Sequence, residues 1–239
     1  VVPVMSLDED GTLGAAGDPE EVLDRVALTP PLVTVAKALD WRPRPLTVKD
    51  GIRLGHALEG LGIAWLEDIL PVWDVAGNRM VTQAIRVPTL NGEQAYLLKS
   101  LREMIETHAV DLLQPDLVTV GGMMETKRVA DHADEYDLPT VLHCAGSPVM
   151  FMANVHCAAA IRSFVAQEIH SLDIPFWKDL VTGLDDPLLV DGYVRVPDKP
   201  GLGLDLNDDA IEALGTQRRG RHRQPLVGVE QLEEALGGG

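Results

Sequence analysis

Five short apolar runs each end in an acidic residue or a histidine at nearly constant spacing along this chain. The terminating residues are Glu67, Glu93, Asp116, His143 and Glu168. Successive members are 26, 23, 27 and 25 residues apart, about the length that a strand, a turn and a helix occupy together. The spacing therefore predicts a series of βα units, whose strands form a parallel sheet buried on both faces.

The segments between these runs show apolar residues at helical spacing. Thr47 and Asp50 form a capping pair that predicts a helix start, with Leu54 and Leu61 among its apolar positions. Further helices are predicted over residues 93–108, 123–137 and 149–161, the last with alanines 158–160 in close packing. The sequence of residues 188–206 predicts a hairpin with a tight turn, followed by a returning segment rich in glycine and proline. The tail from about residue 216 is expected to be disordered.

Charge and composition exclude several classes of protein. The net charge of −17 argues against binding to nucleic acid or to an anionic membrane surface, since phosphates would be repelled. No apolar run approaches the ~20 residues needed to span a bilayer, and the first residues do not resemble a signal peptide. Cys144 and Cys157 are too few for a disulfide framework. These features predict a cytoplasmic protein with reduced thiols.

The carboxyl ends of neighbouring parallel strands converge on one mouth, so the terminating residues are expected to be neighbours in space. Glu67 and Glu93 would then repel each other unless a cation lies between them. Mg²⁺ suits a few carboxylate oxygens completed by water and substrate oxygens. Asp40, 27 residues before Glu67, is the candidate for a third ligand, although a surface loop acid is an equal alternative.

Asp116 and His143 terminate consecutive runs and form a candidate catalytic pair. An aspartate bonded to a histidine sets its tautomer and raises its basicity, which makes a general base near neutral pH. Glu168, one strand further on, is a candidate to bind a substrate oxygen on which charge develops. These groups together predict removal of the proton beside a substrate carboxylate, with a divalent cation stabilising the resulting enediolate.

The chain resembles the mandelate racemase/muconate lactonizing branch of the enolase superfamily, most of all its acid-sugar dehydratases, over about residues 46–207. The matching motifs are WLED at 65–68, NGE at 91–93, AVDLLQPDLVTVGG at 109–122, LHCAGSPV at 142–149 and VPDKPGLGLDLN at 196–207. The resemblance implies an incomplete TIM-type βα barrel, the C-terminal catalytic domain of that superfamily. It also implies Glu67 and Glu93 as Mg²⁺ ligands, Asp116 and His143 as the catalytic dyad, and Glu168 as a substrate-binding acid.

Three readings of function follow from this resemblance. The first is a cytoplasmic, Mg²⁺-dependent dehydratase that converts a sugar acid to a 2-keto-3-deoxy acid and self-associates into a homo-oligomer. The second is a racemase or epimerase of a 2-hydroxy acid, which the absence of the family's lysine motif near residues 10–12 disfavours. The third is an inactive barrel fragment, because no segment is long enough for the family's capping domain. The expected organisation is a segment 1–46 that does not match the family, with a partial start of the barrel as the alternative, then a barrel over 47–207 and an extension over 208–239.

Overall fold

The computed structural model describes residues 47–172 and 174–221, which divide into two units. The first unit contains residues up to 145 together with residues 153–169, and the second contains residues 146–152 and those from 170 onward. Asp40, the predicted third metal ligand, lies outside the described residues, as does most of the tail after residue 216.

The first unit is built on a five-stranded, wholly parallel sheet in which the strands lie in sequence order. The strands are β1 Leu66–Glu67, β2 Thr89–Asn91, β3 Leu112–Leu113, β4 Thr140–Leu142 and β5 Phe164–Gln167. Every one of the five predicted terminating residues lies at a strand end or within three residues beyond it. The prediction of repeated βα units is therefore confirmed.

Helices connect the strands. They are α1 Val48–Leu58, α2 Val75–Ala84, α3 Leu97–Glu106, α4 Leu117–Val120, α5 Met123–Asp134 and α6 Pro148–Ala158. The larger core cluster joins Leu101, Met104 and Ile105 of α3 to Leu113 of β3 and Val129 of α5. None of the helices in the described part of the chain is both long and apolar enough to cross a membrane.

The start of α1 is where the capping pair predicts it. The Thr47 hydroxyl accepts a hydrogen bond from the Asp50 backbone N–H at 3.3 Å and donates one to the Asp50 carboxylate at 2.8 Å. Leu54 is buried as predicted. The placement of Leu61 on this helix was wrong, because α1 ends at Leu58 and Leu61 is 67% exposed.

Three later helices are shorter than predicted. The helix expected from residue 93 begins only at Leu97, whose positive φ of 62° breaks the helical path before it. The helix expected to reach residue 137 ends at Asp134, just before Asp137 turns the chain with φ 55°. The helix α6 ends at Ala158, so Ala159 and Ala160 are exposed after its end rather than packed within it.

The second unit contains a short 3₁₀ helix, a two-stranded antiparallel sheet and a final helix. These are Lys178–Leu180, β6 Val181–Thr182 paired with β7 Asp205–Leu206, and α7 Asp208–Arg221. The predicted hairpin turn is present: Val190 and Tyr193 exchange two backbone hydrogen bonds across Asp191 and Gly192, which both have positive φ. Residues 216–221, the first part of the tail expected to be disordered, continue α7.

Glu59 connects the end of α1 to the segment after α2 and supplies a pH-dependent part of the stability. Its carboxylate accepts hydrogen bonds from the Arg86 backbone N at 2.9 Å and from the guanidinium Nε and Nη2 at 3.0 and 2.9 Å. The bond from the Arg86 backbone, followed by one from His56, lowers the pKa of Glu59 to about 2. The charged form therefore stabilises the fold fully above the ordinary pKa of 4.5, and this contribution is lost as the pH falls toward 2.

We expect Glu59→Gln to lower the urea midpoint at pH 7, and the difference from the wild type to narrow steadily as the pH falls from about 5 to 3. The measurement is a series of urea titrations followed by circular dichroism. Glu103→Gln, on the exposed side of α3, serves as the control for loss of a negative charge alone. A deficit for Glu59→Gln that stays constant across this pH range would contradict the prediction.

Candidate active site

The candidate site lies at the carboxyl edge of the parallel sheet, where consecutive strands deliver polar side chains to one place. Glu67 is the last residue of β1, and His143 and Glu168 directly follow β4 and β5. Glu93 and Asp116 come two and three residues after β2 and β3. Parallel strands in register put all of these carboxyl ends on the same edge, and the contacts between the side chains follow from that placement.

Asp116 is held rigidly by the start of helix α4, for which it is the N-cap. Its Oδ1 accepts hydrogen bonds from the backbone N–H groups of Val118 and Thr119 at 2.7 and 2.8 Å. Its other oxygen, Oδ2, lies 2.6 Å from Nδ1 of His143. The cap thus orients the carboxylate, and the carboxylate in turn orients the imidazole ring.

His143 is fixed from two further directions. Its backbone N–H donates to the Pro115 carbonyl at 3.3 Å, and its own carbonyl accepts a bond from Asn154 Nδ2 on α6 at 2.9 Å. Asn154 is fully buried, and it was not singled out by the sequence analysis. An asparagine directly after the apolar run 148–153 of α6 is the signal that would have identified it.

The second ring nitrogen of His143 faces the acids. Nε2 lies 3.1 Å from Glu93 Oε2 and 3.5 Å from Glu168 Oε2. With Nδ1–H donated to Asp116, the neutral ring carries its lone pair on Nε2. Nε2 is therefore the atom able to take up a proton in the site.

The pKa values of the dyad reflect this arrangement. Burial alone would lower the pKa of His143, but the hydrogen bond to Asp116 and the charges of Glu93 and Glu168 outweigh it and raise that pKa. Burial would likewise raise the pKa of Asp116, but the bonds from His143 and from the backbone of Thr119 outweigh it and lower that pKa. Asp116 is consequently an anion that stabilises positive charge on the ring.

Glu168 reaches back over the end of β4. Its backbone N–H donates to the Leu142 carbonyl at 2.9 Å, and its Oε2 accepts a bond from the Cys144 backbone N–H at 3.1 Å. The carboxylate therefore lies beside the dyad, and both Glu168 and Glu93 contact Nε2 of His143.

Glu67 and Asp68 add two carboxylates to the same edge. The pKa of Glu67 is raised, first by burial and then by the charges of Glu168 and Glu93. The pKa of Asp68 is raised to about 7, again first by burial and then by the charges of Glu93 and Glu67. Asp68 was quoted in the WLED motif but given no role, although an acid directly after a predicted ligand was a signal for one.

This crowding of carboxylates has the chemistry expected of a site for a hard cation. Half-buried acids that repel one another are stabilised by a divalent ion, and carboxylate oxygens are the ligands that Mg²⁺ prefers. Within residues 47–172 and 174–221 there is no group of three His, Cys, Asp or Glu side chains placed to hold a metal ion together. Two of the three predicted ligands, Glu67 and Glu93, are among the described residues, and the predicted third, Asp40, is not.

The structure thus brings Glu93, Asp116, His143 and Glu168 into direct contact and Glu67 into electrostatic contact with them. Their individual roles stay predictions.

Residues 11–210 match the profile of a family described as Enolase C-terminal domain-like. The chain belongs to this family. The match includes residues 11–46, to which the sequence analysis assigned no βα unit. The enolase-superfamily resemblance and the TIM-barrel-like fold are therefore confirmed, with five parallel strands of the eight in a complete barrel present in the described region.

Similar proteins place the chain within this superfamily. D-xylonate dehydratase from Haloferax volcanii is 42% identical over 161 residues, which cover 67% of this chain and 39% of that protein. A D-galactonate dehydratase family member from Oceanicola granulosus is 32% identical over 184 residues, covering 76% of this chain and 44% of that protein. The crystal structure of a mandelate racemase/muconate lactonizing enzyme-like protein from Rubrobacter xylanophilus superposes with a TM-score of 0.67 at 31% identity, covering 74% of this chain and 48% of that one. The chain spans less than half the length of these relatives.

Proposed function

We propose that this enolase C-terminal domain-like chain carries the catalytic centre of a Mg²⁺-dependent sugar-acid dehydratase, which converts an aldonate or aldarate to a 2-keto-3-deoxy acid. The observation that carries the proposal is the Asp116–His143 dyad, whose second ring nitrogen, Nε2, contacts both Glu93 and Glu168. The names of the relatives, D-xylonate dehydratase and a D-galactonate dehydratase family member, support the choice of reaction and substrate class.

Each residue has an assigned task in this proposal. Nε2 of His143 takes the proton from the carbon next to the substrate carboxylate, and the electrons of the broken C–H bond move into the enediolate. Asp116 stabilises the imidazolium that forms. Glu168 binds and orients the substrate beside Nε2 of His143, at the oxygen on which charge develops.

Glu67 and Glu93 would hold the cation, with Asp40 as the third ligand. When bound, Mg²⁺ supplies positive charge against the substrate carboxylate and the developing enediolate. Glu93 contacts His143 Nε2 at 3.1 Å, so that nitrogen accepts a substrate proton only once this contact is broken.

The second half of the reaction is an elimination. The bond between the adjacent carbon and its hydroxyl breaks, the hydroxyl leaves with a proton as water, and the enol product tautomerises to the 2-keto-3-deoxy acid. In this proposal the imidazolium of His143 gives that proton to the leaving hydroxyl. A single base on one face of the substrate favours this elimination over racemisation, which needs a second base on the opposite face.

The test is proton NMR in D₂O on the protein expressed from its whole reading frame, with Mg²⁺ and D-xylonate, D-galactonate, arabinonate and D-mannonate in separate tubes. We expect loss of the α-proton signal and a new 3-deoxy methylene signal for at least one substrate, both abolished by EDTA. Exchange of the α-proton without a methylene signal would replace the dehydratase by a racemase or epimerase. Neither signal from a folded, metal-loaded sample would favour an inactive barrel.

A further inference from the structure

The peptide group between His143 and Cys144 is held from both sides by side chains. Its carbonyl oxygen accepts a hydrogen bond from Nδ2 of Asn154 at 2.9 Å. Its N–H group donates one to Oε2 of Glu168 at 3.1 Å. The C=O and N–H of a planar trans peptide point in opposite directions, so this group lies between the amide of Asn154 and the carboxylate of Glu168.

The oxygen of Glu168 that accepts this bond is also the one that faces the base. Oε2 lies 3.5 Å from Nε2 of His143 and 3.1 Å from the backbone N of Cys144. A single carboxylate oxygen therefore contacts both the peptide group and the imidazole ring. Rotation of the peptide would withdraw its N–H from the carboxylate and release Glu168 from its place beside the ring.

The buried amide of Asn154 has one orientation that satisfies the carbonyl of His143. That carbonyl is an acceptor, so the NH₂ group of Asn154 must point toward it. The Oδ1 atom of Asn154 is buried and has no hydrogen-bond partner among the residues that the structure describes. A buried oxygen without a partner is unfavourable, and the adjacent Ala153 and Val155 are apolar and buried. Stability alone would favour an apolar side chain here, so the bond to the carbonyl is what explains an amide.

We propose that Asn154 is a positioning residue for Glu168. By holding the carbonyl of His143, its amide turns the N–H of Cys144 toward Oε2 of Glu168 and keeps that carboxylate beside the base. The bond to the carbonyl also polarises the peptide group, which makes its N–H a stronger donor. This inference rests on the proposed function, because the substrate-binding role of Glu168 is part of that proposal.

The first measurement follows the amide of Cys144 by NMR and needs no substrate. Protein expressed from its whole reading frame is labelled with ¹³C at the histidine carbonyl and ¹⁵N in cysteine, which selects cysteine amides that follow a histidine. This chain has two such amides, those of Cys144 and Cys157, and Cys144→Ala assigns the first by removing its signal. An amide proton that donates to a carboxylate resonates downfield, so we expect Asn154→Leu to move the Cys144 proton upfield.

The second measurement is a double-mutant cycle on the kinetics of dehydration. A displacement of about 1 Å in a binding group can cost about 10²-fold in rate, so we expect Asn154→Leu to lower kcat/KM about 10–100-fold, with KM raised. In a Glu168→Gln background the same substitution should lower kcat/KM by less than about threefold, because a residue that acts through Glu168 then has no carboxylate left to position.

Thr82→Val is the matched control for loss of a bond between a helix and the sheet backbone. Thr82 Oγ1 on α2 donates to the carbonyl of Ala109 at 2.8 Å, at the amino edge of the sheet, opposite the site. We expect Thr82→Val to lower the melting temperature at least as much as Asn154→Leu, with kcat/KM and the Cys144 amide shift unchanged. If Asn154→Leu does not fold, Asn154→Ala removes the same donor without added volume, and the same losses are expected.

Three results would overturn the inference. An unmoved Cys144 amide in a folded Asn154→Leu protein would mean that Asn154 does not orient the peptide. Equal loss of kcat/KM with and without Glu168→Gln would mean that Asn154 acts by another route. Equal loss in Thr82→Val would attribute the effect to the fold as a whole. A wild type that dehydrates no sugar acid removes the proposed function and the kinetic half of the inference, whereas a moved Cys144 amide would still support the orientation of Glu168.

Discussion

His143→Asn is expected to lower kcat for dehydration by about 10²–10⁴-fold, the usual contribution of a general base. Asparagine keeps a polar group at the end of β4 but has no nitrogen that accepts a proton near neutral pH. Because proton removal is the first chemical step, exchange of the substrate α-proton in D₂O should fall by the same factor. Mn²⁺ affinity should change little, since His143 is not among the proposed ligands.

His132→Asn is the control for this substitution. His132 lies on α5, where its Nε2 is 3.2 Å from Glu106 and its ring is 5.2 Å from that of Tyr136, so its loss should leave kcat within a factor of about two. Circular dichroism of both variants checks that the fold is retained. Unchanged α-proton exchange in a folded His143→Asn protein would mean that another group is the base.

The parallel sheet and the position of its polar edge were predictable because one physical constraint acts locally and repeatedly. A strand buried on both faces must be apolar, and the chain must return by a helix to begin the next parallel strand. Residues such as Glu67 and His143 interrupt the apolar run where the strand reaches the mouth. Spacing in the sequence therefore translated into proximity in the sheet.

The boundaries of α3 depend on contacts that no local pattern contains. Leu97 adopts a left-handed φ and packs close to Gly121 of the next βα unit. A Cβ added to Gly121 would lie 3.2 Å from the Cδ2 atom of Leu97. In the first turn of α3, the backbone N–H of Leu98 donates a hydrogen bond at 3.0 Å to the carboxylate of Glu125, which lies 27 residues later in the chain. A helix capped from a distant helix gives no signal near its own start.

The supporting residues of the site were not predicted for the same reason. Asn154 contacts the His143 carbonyl, and this partnership joins residues on two different elements of the fold. A buried amide side chain can form hydrogen bonds with many kinds of group. The residue type alone therefore does not reveal which group is its partner. The acids and the histidine were recognisable because they recur at one period, whereas each buried amide occurs once.

Asp116→Asn should disable the base while leaving its surroundings nearly intact, because the two oxygens of Asp116 have different partners. Oδ1 accepts the N–H groups of Val118 and Thr119, while Oδ2 faces His143 Nδ1 at 2.6 Å. In the asparagine variant the single oxygen must take the place of Oδ1, since an NH₂ group there would face two donors. The amide NH₂ then faces Nδ1 of His143.

An amide donor at Nδ1 reverses the tautomer of the imidazole. Nδ1 must accept, so the ring proton moves to Nε2, the nitrogen that faces Glu93 and Glu168. An Nε2 that carries a proton cannot remove one from the substrate. We expect kcat to fall about 10³-fold or more, since the same tautomer change in a Ser-His-Asp triad lowers kcat by about 10⁴-fold.

Stability and tautomer measurements distinguish this explanation from damage to helix α4. Asparagine is as good an N-cap as aspartate, so Asp116→Asn should unfold close to the wild-type temperature, whereas Asp116→Ala should lose about 0.5–2 kcal/mol with its cap. Nitrogen-15 NMR of labelled histidine should show the proton of the neutral His143 ring on Nδ1 in the wild type and on Nε2 in Asp116→Asn. Asp116→Asn could instead retain the Nδ1–H tautomer and still lose a comparable part of the rate. That outcome would mean that Asp116 acts mainly through its negative charge, which stabilises the imidazolium, and less through orientation of the ring.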